Sequence, residues 1–146
     1  MTETLTYEVR RARSEDEMKE VLEIRREVFC REQGVPEREE ADGHDGDAVH
    51  LVAISGEQVV ATSRLLFVGP TVQFSRLAVR MGARRHGIAT ALLQAAEDEA
   101  RVAGARRLVL HAQTYARSLY EAAGYEPRGR LFMEAGIEHL AMEKQL

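Results

Sequence analysis

Residues 77–93, Leu-Ala-Val-Arg-Met-Gly-Ala-Arg-Arg-His-Gly-Ile-Ala-Thr-Ala-Leu-Leu, constrain the fold more than any other stretch of the chain. An apolar strand ends at Val79, a loop rich in Arg turns the chain, and a helix opens at Gly87. N–H groups in a helix's first turn have no partners within it and sit at the positive end of its dipole. Such a junction is suited to cradle an anion such as a phosphate. Gly87 and Ala89 leave the backbone open to close approach, while Arg84, Arg85 and His86 add positive charge. Two common phosphate loops are excluded. No Lys-Ser/Thr pair follows the Gly, and the three-Gly dinucleotide fingerprint on a first βαβ unit is missing.

The junction needs a sheet before it and a core beneath it, and the flanking patterns supply both. Tyr7 and Val9, with Leu5 ahead of them, alternate with polar residues as a short strand. Ser14 and Glu17 form a capping box ahead of Met18, Val21, Leu22, Val28 and Phe29 at helical spacing, which predicts a helix to about Cys30. Pro36 to Asp47 reads as an acidic loop with room for one helical turn. His50–Ile54 and Val59–Phe67 form a hairpin about Ser55-Gly56, and Val72–Val79 returns after Gly69-Pro70. The helix from Gly87 turns Ile88, Leu92, Ala95, Ala96 and Val102 inward and stops at Gly104. Leu108–Ala112 is an apolar run but for His111, which predicts a buried central strand. A helix over about Thr114–Ala123 ends at Gly124, and two strands near Arg130–Met133 and His139–Glu143 turn at Ala135-Gly136. This order predicts an α/β fold, a mixed and mostly antiparallel sheet of about seven strands with helices on both faces.

The 146 residues suit one domain over 1–146. A single Cys fits a reducing compartment, and the longest charge-free stretches, eleven residues, fall short of a membrane span. Glu3 and Glu8 flank no apolar signal segment, so a soluble cytoplasmic protein is expected. The net charge of −4 hides a split: residues 1–50 hold 8 basic and 15 acidic side chains. Such a balance argues against nucleic-acid binding. Glu37, Glu39, Glu40, Asp42, Asp45 and Asp47 crowd around Arg38, whereas Arg76, Arg80, Arg84 and Arg85 have no acid among them. The acidic stretch fails the calcium-loop pattern, because His44 and Gly46 fall on ligand positions, and no metal is expected. Cys30 reads as a small apolar packing residue.

A second motif follows the buried strand: Gln113-Thr114-Tyr115-Ala116-Arg117-Ser118-Leu119-Tyr120-Glu121-Ala122-Ala123-Gly124-Tyr125. Ala116 and Tyr120 are four apart and share a helix face. Taken alone, Tyr120 reads as a core aromatic before a capping Gly. Together and in this order, the two motifs resemble those of the GNAT superfamily of acyl-CoA-dependent N-acetyltransferases. Arg84, Gly87 and Ala89 meet its Arg/Gln-x-x-Gly-x-Gly/Ala loop. The second motif is similar to Asn-x-x-Ala-x-x-x-Tyr-x-x-x-Gly-Phe, with Gln113 for Asn and Tyr125 for Phe. A finer likeness, to the ElaA-like subgroup, rests on Arg26-Glu27-Val28-Phe29, Glu32-Gln33, Asp42-Gly43-His44-Asp45, His50, His111-Ala112-Gln113 and Glu134–Met142.

The resemblance implies a GNAT-type fold and direct transfer of an acetyl group from acetyl-CoA, as cosubstrate, to a small-molecule or peptide amine. It implies that the Leu77 amide polarises the thioester carbonyl, with Ala78 beside it and Val79 pairing the pantetheine amides. The backbone of Arg85, His86, Gly87, Ile88, Ala89 and Thr90, flanked by Arg84, holds the pyrophosphate. Gln113 and Ala116 contact the pantetheine arm, and Tyr120 stands beside the leaving sulfur. The position where many GNAT enzymes carry a Glu base is Gln73, which cannot act as one. His111 is then the titratable group nearest the thioester, either as the base or as a packed strand-end residue. Glu32, Glu134 and His139 read first as solvated or structural positions. The acidic loop is read as drawing a cationic amine. Pairing into homodimers is a family habit only. A non-catalytic acetyl-CoA sensor is the alternative that Gln73 favours, and a nucleotide-binding regulatory domain ranks behind both.

Overall fold

The structure is a computed structural model that describes residues 5–146; the stretch about Glu3 read for a signal segment lies outside the described residues. One seven-stranded sheet runs in the order β1-β2-β3-β4-β5-β7-β6. Its strands are β1 (Glu8–Arg11), β2 (Val49–Ser55), β3 (Gln58–Val68), β4 (Thr71–Val79), β5 (Arg107–Gln113), β6 (Glu126–Glu134) and β7 (Ile137–Gln145). Among the described residues, only β4 and β5 run parallel. Leu5 and Tyr7, expected in the first strand, precede β1 and pack on the core.

Alternation of side chains along the strands feeds two cores, one on each face. Helix α1 (Glu15–Arg25) places Val21 and Ile24 against Val52, Val59 and Ala78. Helix α3 (Ile88–Val102) places Ile88, Leu92, Leu93, Ala96 and Ala100 against Leu51, Leu65, Phe74, Leu108 and Met142. Val102, expected inward, is 89% exposed. It lies two residues past Ala100, about 200° round the helix and off the buried stripe. Leu22 is likewise largely exposed.

The capping box forms with one shift. Ser14 Oγ accepts from the Glu17 N–H at 3.1 Å, but Glu17 accepts from the Arg13 N–H at 2.7 Å, one residue early. Arg10 also binds Glu17, and that pairing with the Arg13 N–H lowers its carboxyl to about 2. Beyond Arg25 the first helix does not continue as α. Arg26–Glu32 winds as a π-helix, with the Gln33 N–H bonded to Val28 O at 3.1 Å. The acidic loop contains one short turn, α2 (Glu37–Glu40), and a 3-10 turn at Asp45–Asp47. After β5, Thr114–Ala116 forms a 3-10 turn that leads into α4 (Arg117–Ala122), so the expected helix there is shorter. β6 begins at Glu126, four residues before the expected start, and its pairing is irregular between Arg128 and Phe132.

The feature that positions the site is the parting of β4 from β5. Their ladder ends at Phe74↔Leu110. Arg64↔Ser75 is followed by Thr62↔Ala78, two steps on β3 against three on β4, with Arg76 at φ +55°. The extra residue is a β-bulge, which bends the strand and increases its twist. β4 therefore follows β3 away while β5 stays with β7, and a wedge opens between them. For this reason β5 is buried on one face only: Leu108, Leu110 and Ala112 are covered while His111 is exposed. Leu92 is fully buried in the core beneath α3. Leu92→Ala is expected to lower unfolding free energy by about 3 kcal/mol in urea titration, through lost transfer energy and the cavity left behind.

Candidate functional site

The wedge opens into a cavity of about 1500 Å³. Leu77 and Val79 of β4, His111 and Gln113 of β5, and Ala89 at the start of α3 line it, as do Ala116, Leu119 and Tyr120. Residues as far apart in sequence as Leu77 and Tyr120, 43 positions, thus share one space. Other sequence-selected residues stand elsewhere. Ala78 is turned to the opposite face against α1, and Ile88 is buried in the core. Arg85, Gly87 and Thr90 are exposed outside the cavity walls, and His86 is half-buried.

At the junction, Arg85 and Gly87 take left-handed φ values of +67° and +78°, and Gly87 ends the loop at the helix. The Ala91 N–H bonds Gly87 O at 3.1 Å, so the amides of Ile88, Ala89 and Thr90 occupy the unbonded first turn. Arg84 lines the cavity but is engaged. Its Nη2 binds Glu32 at 2.7 and 2.8 Å and its Nε donates to Val79 O at 2.9 Å. Arg80 donates to Val59 O at 3.1 Å and faces Glu27.

Across the wedge, Gln113 Nε2 donates to Gln33 Oε1 at 2.9 Å. Glu32 and Gln33, at the end of the π-helix, therefore reach both rims, one through Arg84 and one through Gln113. A π-helical segment often marks functional sites. Tyr120 is 6% exposed and meets the Tyr125 ring edge-on at 6.2 Å. Burial raises its hydroxyl well above the ordinary phenol value, with Tyr115 adding to the effect. Tyr125, in turn, donates to the buried Glu97 at 3.0 Å. Its hydroxyl is raised too, by burial and by that carboxylate. His111 Nδ1 lies 3.1 Å from Glu134 Oε1 at the cavity edge.

The acidic loop departs most from its sequence reading. Arg25, 1% exposed, binds Glu40 and, at 2.8 Å, Asp45. Arg64, 3% exposed, grips Asp42 through two bonds of 2.8 and 2.7 Å. Arg76, on the bulge, donates to Glu40 O at 2.9 Å. Glu40, Asp42 and Asp45 are therefore spent on pinning the loop to the sheet and are not a free cation-attracting surface. Of the acids lining the cavity, Glu39 and Asp47 have no ion-pair partner among the described residues. Sequence reading missed this network because Arg25 lies on the helical face of Val21 and Val28, where an Arg gives no apolar signal.

The family model for the acetyltransferase (GNAT) domain matches residues 9–146. The chain belongs to the GNAT acetyltransferase family. A Bacillus subtilis (strain 168) protein described as an uncharacterized N-acetyltransferase, YjcF, is 34% identical to this GNAT chain over 134 residues, covering 91% of this chain and 96% of its own. The solved Pseudomonas aeruginosa acyl-CoA N-acyltransferase is 28% identical with a TM-score of 0.83, covering 96% and 99% of the two chains. Escherichia coli ElaA shares the fold with a TM-score of 0.83 at 22% identity, covering 96% and 99%. A Bacillus subtilis acetyltransferase solved in complex with CoA shares it with a TM-score of 0.76 at 16% identity, covering 97% and 99%. GNAT membership makes the chain an acyltransferase that draws on acyl-CoA. Among the described residues, no helix is long and apolar enough to cross a membrane, and no group of three or more His, Cys, Asp and Glu is placed to hold a metal ion.

The buried guanidiniums carry two expectations. Arg64→Met removes the two short bonds to Asp42, leaving that carboxylate only Arg76 at 3.3 Å as an ion-pair partner, and should cost about 3 kcal/mol in urea unfolding. Arg64 hydrogen bonding, aided by the His44 N–H, depresses the Asp42 carboxyl, and burial opposes it only in part. A depressed carboxyl gives stability above its unfolded value, near pH 4, that is lost as pH falls through the folded one. Acid titration of wild type should therefore show a loss of stability below about pH 4 that Asp42→Asn makes shallower.

Proposed function

We propose that residues 1–146 form one N-acetyltransferase domain that moves an acetyl group from acetyl-CoA directly to the amine of a small-molecule or peptide acceptor. The observation that carries this reading is the parted β4–β5 wedge with Tyr120 on its wall and the first turn of α3 at one end. The residues present fit an acyl-CoA: an open strand edge suits its amide-bearing arm, and a helix start beside Arg85 suits its phosphates. Acetyl-CoA supplies the activated acyl group.

In this reading the Leu77 amide faces the thioester oxygen as it gains charge, an oxyanion-type role. Val79, Gln113 and Ala116 hold the pantetheine arm, and the amides from Arg85 to Thr90 hold the pyrophosphate. Tyr120 hydrogen-bonds the departing sulfur. An ordinary phenol near 10 already loses to a thiol near 8.5 as a proton source, by about 2 kcal/mol, and burial widens that gap. Tyr120 therefore donates a hydrogen bond, and solvent completes the protonation. An alkylammonium must first lose a proton, at about 4.6 kcal/mol for an amine near 10.4 at pH 7. Gln73 lines the cavity and offers no base, so His111 takes the proton.

Wild type incubated with acetyl-CoA and a panel of polyamines, amino acids, aminoglycosides and peptides should release free thiol. Tight CoA binding without release across the panel points to the sensor reading that Gln73 favours. Tyr120→Phe should lower kcat about 10- to 100-fold with CoA affinity nearly unchanged, since the interaction is made as the sulfur leaves. Unchanged turnover removes Tyr120 from the mechanism. The acidic limb of the pH–rate profile should disappear in His111→Ala, whose ring is faced by Glu134 from β6 and neighboured by His139 on β7. An unshifted limb removes His111 as the base.

A further inference from the structure

We infer that Glu134 is a positioning residue that fixes the tautomer and orientation of His111 for proton abstraction from the acceptor amine, an inference that rests on the acetyltransferase reading above. His111 Nδ1 stands 3.1 Å from Glu134 Oε1. An ionised carboxylate only accepts, so Nδ1 carries the ring proton and Nε2 keeps the lone pair. The ring is a wall of the same cavity as Tyr120 and Leu77.

The rest of the cluster holds this geometry. Glu134 Oε2 lies 3.5 Å from Nε2 of the buried His139, a contact that attracts only when that ring carries both protons, because Nδ1 already donates to Ile137 O at 2.7 Å. Phe132 sits between the two imidazoles, edge-on to His111 at 5.0 Å and stacked with His139 at 5.9 Å. Strand register makes the meeting: Phe132 of β6 pairs with His139 of β7, and Ala141 of β7 pairs with His111 of β5. Glu134 closes β6 where the two-residue Ala135-Gly136 turn, at φ +52° and +75°, returns the chain.

The proton balance is complete with groups already named. The acceptor ammonium gives one proton to His111 Nε2, and Glu134 faces the imidazolium that results. The nitrogen lone pair forms the N–C bond as the C–S bond breaks, and the acylated nitrogen gives its second proton to solvent. Its electron pair leaves on sulfur, which Tyr120 hydrogen-bonds and solvent protonates. His111 returns its proton to solvent.

Glu134→Gln is isosteric at a half-exposed site, so folding is not at stake. An amide can present either a donor or an acceptor to Nδ1, so the variant loosens the tautomer without removing bulk. Long-range nitrogen–proton NMR of the free protein should show His111 as the Nδ1–H tautomer in wild type and as a mixture in Glu134→Gln. Thiol-release kinetics should show kcat about tenfold lower in Glu134→Gln, with KM for acetyl-CoA unchanged. An Nε2–H tautomer in wild type overturns the proposal, as do a tautomer and kcat unaffected by the substitution. Wild type that releases no thiol with any amine overturns the acetyltransferase reading and, with it, the base role. The tautomer spectrum tells that failure from a failure of the Glu134–His111 pair, because it needs no substrate.

Discussion

The parallel ladder between β4 and β5 stops at Phe74 and Leu110, and most of what gives this chain a site follows from that stop. A continuous ladder would have paired the far half of β4 with β5 and filled the space with strand. The bulge at Arg76 instead adds a residue on the β3 side of β4, which turns that half away. Backbone groups released from a ladder need other partners. Here they border a cavity that an extended ligand with its own amides can enter. His111 stands exposed on the open face of β5, and the parting lets the helix after β4 start beside the opening.

Two buried guanidiniums hold the far wall of the wedge. Arg25 comes from α1 and Arg64 from β3, and both reach the acidic loop from beneath. Replacing such buried pairs with apolar residues is often neutral or stabilising, so their contribution lies more in specificity than in net stability. Each Arg presents a fixed planar fork, and each carboxylate must meet it in one register. Loop 36–47 is thereby given a defined shape where no hydrophobic contact would give it one. Arg76 joins the same network from the bulge, so the strand's kink and the loop's position are tied to each other.

The elements were legible where the signal is local. Alternation, caps and turn residues placed the seven strands and the long helices in order, and the GNAT pattern picked Leu77, Val79, Ala89, Gln113, Ala116 and Tyr120, all of which share the cavity. What stayed hidden depends on partners far along the chain. Arg84 looked like free positive charge, yet its partner is Glu32, 52 residues earlier. Glu134 and His111 are neighbours only because β6, β7 and β5 pair in one register. Arg25 and Arg64 were illegible as buried residues because Arg is rarely fully buried unless paired, and pairing is a tertiary fact. The π-winding at Arg26–Glu32 carries no local mark either, since its apolar spacing at Val28 and Phe29 suits an α-helix as well.

The charge split along the sequence takes a different meaning once the pairs are known. Most of the acidic loop and most of the Arg-rich stretch neutralise residues elsewhere, so neither is a charged patch in space. What survives is smaller: Glu39 and Asp47 on the loop side of the cavity, and the first turn of α3 at Ala89, with the exposed Arg85 outside the cavity walls. Fields of this kind are screened beyond about 8–10 Å in salt, so they act within the wedge and not across the surface. Inside it, an anion is favoured at the helix start and a cation at the loop. In the acetyltransferase reading proposed above, the ammonium form of an acceptor is drawn to the loop side of the wedge, away from the helix start. On that reading it must still give up a proton before it can attack, so the proposed base held in one tautomer at the cavity wall would matter more than a stronger local field.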